Sequence, residues 1–127
     1  MTMRTPLKNV RRLGSAHEGA DHFWRQRLTG VSNLILSIFL VGILLTLAGH
    51  DYEVVRKELA KPFVAFPLLL LVLSGVIHMR IGMQVIIEDY VPSEGKKIFL
   101  LMLNTFFAIL VGAACVFAVL KLSFVGA

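Results

Sequence analysis

The stretch PFVAFPLLLLVLSGVIHMRIGMQVIIEDY, residues 62–90, decides the architecture of this chain. From Pro62 to Met79 it carries no formal charge, and its ionisable side chains gather at the far end, from His78 to Tyr90. Pro62 and Pro67 fall at the start, where a helix tolerates proline. Pro92 lies just beyond the end and pushes Val91 out of the helical region. One apolar helix long enough to cross a bilayer core of about 30 Å follows. With about 100° per residue, His78, Gly82, Val85 and Asp89 share one face of that helix, within about 60°. His78 is then roughly 16 Å deeper than Asp89, near mid-membrane if Asp89 sits at the water boundary. A histidine at such a depth is a functional candidate by default. Gly82, one turn along, would let a flat group lie against the backbone.

Two more spans lie on either side. Leu28 to His50 has no Asp, Glu, Lys or Arg, and Ile98 to Leu120 is apolar between Lys97 and Lys121. The fold class expected is therefore an all-α membrane protein with three transmembrane helices, approximately 30–49, 63–89 and 97–121. These form a membrane anchor over 30–124, preceded by a short cytoplasmic and interfacial segment over 1–29. Residues 50–62 read as a charged loop with at most one amphipathic turn. Ser32, Asn33, Ser37 and Thr46 are expected to make helix-packing contacts, and Ala108 with Gly112 forms a small-xxx-small pair suited to close approach.

The composition agrees: of 127 residues, 57% are hydrophobic and only 17% charged, too apolar for a typical soluble domain of this size. The net charge of +5 is a topology signal, since Arg4, Lys8, Arg11, Arg12, Arg25 and Arg27 all precede the first span. No basic patch is interleaved with stacking aromatics, so nucleic acid is not an expected partner. By the positive-inside rule the N-terminus and the Asp89–Tyr90 end are cytoplasmic, which brings Arg27 and Asp89 to one membrane surface. Residues 1–16 are basic and acid-free, so a mitochondrial targeting segment is the alternative to a bacterial cytoplasmic tail; a secretory signal is not. His22, Phe23, Trp24, Arg25 and Arg27 look like an interfacial belt. Cys115, the single cysteine, excludes an internal disulfide and any cysteine-held metal, and reads as a small packing residue. No GxGxxG, Walker A or cysteine cluster is present, so the chain holds neither a flavin nor iron–sulfur centres by itself.

Among the histidines, His17 and His22 are interfacial, His50 is at the outer boundary, and only His78 is deep. A lone membrane histidine most often bonds a neighbouring helix; the in-register Gly82 and the Asp-Tyr spacing favour a ligand. Arg80 lies about 200° from His78 and forms a second, polar stripe with Gln84 and Glu88. That stripe is expected to face a partner or water instead of lipid.

The pattern His78-x-x-x-Gly82 followed by Asp89-Tyr90, in the second of three membrane helices, resembles the small haem b-binding membrane anchor of succinate dehydrogenase (respiratory complex II). Arg27-x-Thr29 is similar to that family's pattern at the start of the first helix, and the likeness extends over about residues 14–120.

The resemblance implies that His78 is an axial ligand of the iron of haem b, with the second ligand from another chain. It also implies that Asp89 and Tyr90 belong to a ubiquinone site, and that Arg27 contacts a haem propionate or the quinone pocket. The chain is then not catalytic alone. Its implied partners are a second membrane-anchor subunit, an iron–sulfur subunit, a flavoprotein subunit and the lipid of a bacterial inner membrane. Two other classes are compatible with the residues. One is a fumarate reductase anchor using menaquinone, and the other a non-redox membrane accessory protein.

Overall fold

The computed structural model describes residues 18–125. The tail readings, including His17 and the basic residues before it, lie outside the described residues. Helix α1 (Glu18–Leu47), α2 (Tyr52–Ala60), α3 (Pro62–Tyr90) and α4 (Glu94–Val125) account for nearly all of this length, and no strand is present among the described residues. Three of the four helices, α1, α3 and α4, are long and apolar enough to cross a membrane. At about 1.5 Å per residue each is more than 40 Å long, so each extends past the hydrocarbon core.

The boundaries follow from local chemistry. Helix α1 stops at a turn in which Gly49 takes a left-handed φ of 82°, and His50 N–H donates to Leu47 O at 3.2 Å. Glycine is favoured there because a Cβ makes that backbone region costly. Lys61 serves two helices at once. Its N–H bonds Glu58 O at the end of α2, and its carbonyl accepts from Val64 and Ala65 at the start of α3. Its extended backbone (φ −62°, ψ 135°) is what a residue before proline adopts, and Pro62 then occupies the first helical turn of α3. Val91, before Pro92, is likewise extended and ends α3.

Two segments are more regular than expected. Helix α1 already includes Glu18, the first described residue, so the interfacial residues 19–29 continue the membrane helix instead of forming a separate approach. No proline interrupts them, and an established helix propagates at little cost. Residues 52–60, expected as a loop, form the complete helix α2, supported by the Glu53–Arg56 and Glu58–Lys61 pairs. Arg56 also donates to Val125 O at 2.9 Å, which ties α2 to the end of α4.

Helix α3 is central and packs against both α1 and α4. On α4, Asn104, Ala108 and Gly112 recur one turn apart and meet α3. Ala108 is 1% exposed, and a Cβ at Gly112 would lie 3.4 Å from Val76 Cγ1. The buried side chains include Ser74 and Asn104, whereas Leu28, Leu45 and Leu110 are 70% exposed or more. The buried set is otherwise apolar, and the large apolar side chains left outside suit a lipid-facing surface. Cys115 is exposed on α4. Of the four polar residues assigned to helix packing, Ser37 and Thr46 are also exposed, and Thr46 bonds back to Ile43 O.

Candidate functional site

The α1–α3 interface is polar where residues 26–29 of α1 meet residues 74–82 of α3. Helix numbering rises on one side as it falls on the other: Gln26 meets Gly82, Thr29 meets His78, and Thr29 O meets Ser74. The two helices therefore run antiparallel. At the centre, Thr29 Oγ1 stands 3.1 Å from His78 Nδ1. The ring lies over the backbone of Gly30, where an added Cβ would come 3.5 Å from His78 Cε1. Ser74, one turn before His78, donates its hydroxyl to Thr29 O at 3.2 Å. Two consecutive turns of α3 thus grip one residue of α1.

The other imidazole nitrogen, Nε2, has no hydrogen bond among the described residues. It is not among the enclosed polar atoms left without a partner, which are Gln26 Oε1 and Asn33 Oδ1. His78 therefore offers an uncommitted nitrogen that another molecule can reach. Described His, Cys, Asp and Glu side chains nowhere gather in threes around a metal site, so the donor here is a single imidazole. A single oriented imidazole fits an iron already held in the plane of a macrocycle, which needs only axial donors.

Gly82 serves a different end from the one its position on the helix face implied. The space over it is filled by Gln26, whose Nε2 would lie 3.3 Å from an added Cβ. The glycine admits a neighbouring helix's side chain, leaving no open slot for a flat group at that point.

Toward the Tyr90 end of α3, a cleft of about 650 Å³ opens between α1 and α3. Its polar lining is His22, Gln26, Arg27, Gln84 and Glu88. The Arg27 guanidinium sits 4.4 Å above the Phe23 ring, which meets Trp24 edge-on. Arg27 and the end of α3 do share one end of the bundle, but the carboxylate on the cleft is Glu88, whereas Asp89 and Tyr90 do not line it. Tyr90 is 81% exposed. A site using Asp89 and Tyr90 needs walls from outside this chain.

Arg80 is exposed and forms no ion pair among the described residues; Gln84 and Glu88, the rest of its stripe, are joined by a 2.8 Å hydrogen bond. Arg80 and Arg25 line a second groove, about 750 Å³, that crosses α3 between α1 and α4. Reading the sequence missed Gln26, Gly30 and Ser74. The signal available was the set Gln26, Thr29 and Asn33 at helical spacing on α1, which marks a polar face without saying which helix it meets.

Comparison with known proteins places this geometry in a family. Residues 1–112 match the succinate dehydrogenase/fumarate reductase transmembrane subunit family. A succinate dehydrogenase hydrophobic membrane anchor subunit of Rickettsia bellii is 31% identical over 91% of this chain and 93% of its own length. The subunit of the same name from Rickettsia felis is 35% identical over 80% of this chain and 85% of its own. That of Paracoccus denitrificans is 29% identical, over 93% and 91%. No solved structure gives a significant match. The chain belongs to the succinate dehydrogenase/fumarate reductase transmembrane subunit family and is a multi-pass membrane protein. This membership sets aside a non-redox accessory role.

Proposed function

We propose that this chain anchors a succinate:quinone oxidoreductase in a bacterial inner membrane and contributes to its haem and quinone sites. His78, its Nδ1 engaged by Thr29 and its Nε2 uncommitted, is the observation that carries this reading. It would supply one nitrogen ligand to the iron of a b-type haem shared with a second anchor subunit. When bound there, the haem exchanges single electrons beside the path from the iron–sulfur subunit to the quinone. Arg27, with its guanidinium at the cytoplasmic end, is placed to pair with a propionate or a quinone-site carboxylate.

At the quinone, two electrons and two protons convert the dione to a hydroquinone. Tyr90 donates a hydrogen bond to a quinone carbonyl oxygen, which gains basicity as electrons arrive, and the phenol proton is replaced from water. Asp89 accepts from Arg27 or from an intervening water that in turn donates to the Tyr90 oxygen, which leaves the phenol proton for the quinone. Since both side chains point out of this chain, the partner anchor and the iron–sulfur subunit complete the pocket. The apolar outer faces of the helices take the isoprenoid tail and lipid. The flavoprotein subunit oxidises succinate. In this topology the N-terminus and the segment over 1–29 are cytoplasmic and the 30–124 anchor crosses the membrane three times.

A second reading is kept open by the family's own description, which names fumarate reductase beside succinate dehydrogenase. In that case the same anchor delivers electrons from menaquinol in the opposite direction. Isolation of the complex in mild detergent tests both. A reduced-minus-oxidised haem b spectrum with faster reduction of ubiquinone than of menaquinone supports the first reading. A preference for menaquinol and fumarate supports the second.

A further inference from the structure

We propose that Thr29 is the positioning residue for His78, fixing its tautomer and its ring plane. The inference rests on the reading of His78 as an axial ligand and deepens it. It follows from counting protons. A threonine hydroxyl has one proton and two lone pairs. Thr29 Oγ1 lies 2.7 Å from Arg25 O and 3.2 Å from Gln26 O, and both carbonyls are acceptors only. An oxygen–oxygen separation of 2.7 Å in an uncharged pair requires a proton between the atoms, so the hydroxyl donates into its own helix. Toward His78, 3.1 Å away, Oγ1 then acts as acceptor, and Nδ1 must carry the ring proton. A neutral imidazole protonated at Nδ1 has its lone pair at Nε2, the nitrogen without a partner among the described residues.

The ring plane is fixed as well. The backbone of Gly30 lies beneath Cε1, and Ser74 holds Thr29 O from the preceding turn of α3. Rotation of the ring would break the Nδ1 contact and press the ring into α1. An acceptor on Nδ1–H also makes the ligating nitrogen more basic, which favours the ferric state of a bound haem.

The test is Thr29→Val, which keeps the branched shape and removes the hydroxyl, with Thr29→Ser as the conservative rescue. Both are purified as the assembled complex. The valine variant is expected to raise the haem midpoint potential and to speed haem loss to a scavenger roughly tenfold, while serine restores both. Parental potential and parental haem retention in the valine variant overturn the inference. His78→Ala in the same complex separates the two ideas. Loss of the low-spin signal there, with a parental valine variant, sinks only the role of Thr29, whereas an unchanged low-spin signal sinks the ligand reading itself. If the valine variant does not assemble, hyperfine spectroscopy of the parental complex with ¹⁵N-labelled histidine decides. A protonated, hydrogen-bonded remote nitrogen on His78 is expected, and one lacking a hydrogen bond overturns the proposal.

Discussion

Thr29 Oγ1 and His78 Nδ1 face each other across the α1–α3 interface at 3.1 Å, joining the two helices where Ser74 also bonds Thr29 O. Membrane helices gain no hydrophobic advantage from meeting each other, because lipid is equally apolar. Close approach and interhelical hydrogen bonds are what remain, and His78 is held where both occur between α1 and α3. The packing that builds the bundle is thus the packing that aims the imidazole.

On the opposite side of α3, Asn104 Nδ2 donates to Arg80 O at 2.9 Å from a buried position. Asn104→Leu should destabilise the α3–α4 pair by about 0.6 kcal/mol, with a ceiling of about 1.7 kcal/mol. Unfolding of the complex in a detergent titration measures this, and an unchanged midpoint would show the bond to be energetically idle.

Gly112 admits Val76, whose Cγ1 would be 3.4 Å from an added Cβ. Gly112→Leu should therefore wedge α4 from α3 and cost about 1–3 kcal/mol. Ala114→Leu, at an exposed position on the same helix, is the control and should cost little. Equal stability of the two variants would place the helix contact elsewhere.

The proposed orientation puts the N-terminus in the cytoplasm and makes the number of crossings odd. A periplasm-active reporter fused after Ala127 should be active, and one fused after Lys97 should not. The reverse pattern contradicts the orientation, and activity of neither or both contradicts the three-span topology.

For the quinone site, Tyr90→Phe should slow succinate–quinone reduction by roughly 10²-fold, within the range for removing a proton-transfer group. Asp89→Asn should slow it as well. Reduction of an artificial acceptor at the soluble subunits is the control for assembly and for succinate oxidation. Parental quinone rates in both variants, with unchanged inhibitor sensitivity, would leave Asp89 and Tyr90 as interfacial anchors.

Much of the fold was legible because charge is expensive in lipid. Uncharged runs ending at Lys97, Lys121 and the 50–62 segment mark the three spans, and Pro62 and Pro92 mark the ends of α3. Helix α2 was legible only as an amphipathic turn, since it is nine residues long and buries none of its own side chains. For the site, depth singled out His78, and Gly82 on the same face with the Asp89–Tyr90 spacing supported it. Its partner was hidden because contacts between helices depend on relative rotation and register, which one sequence does not record. Gly82 shows the limit well: a gap in the side-chain face was readable, but Gln26 filling it was not.

Haem ligation by His78 is tested most directly by a reduced-minus-oxidised spectrum, with low-temperature electron paramagnetic resonance, of the His78→Ala complex captured through its flavoprotein subunit. Loss of the b-type haem signal, or its conversion from low-spin to high-spin, is the expected result. An assembled variant with an unchanged low-spin spectrum would contradict ligation and leave His78 as a packing residue bonded to Thr29.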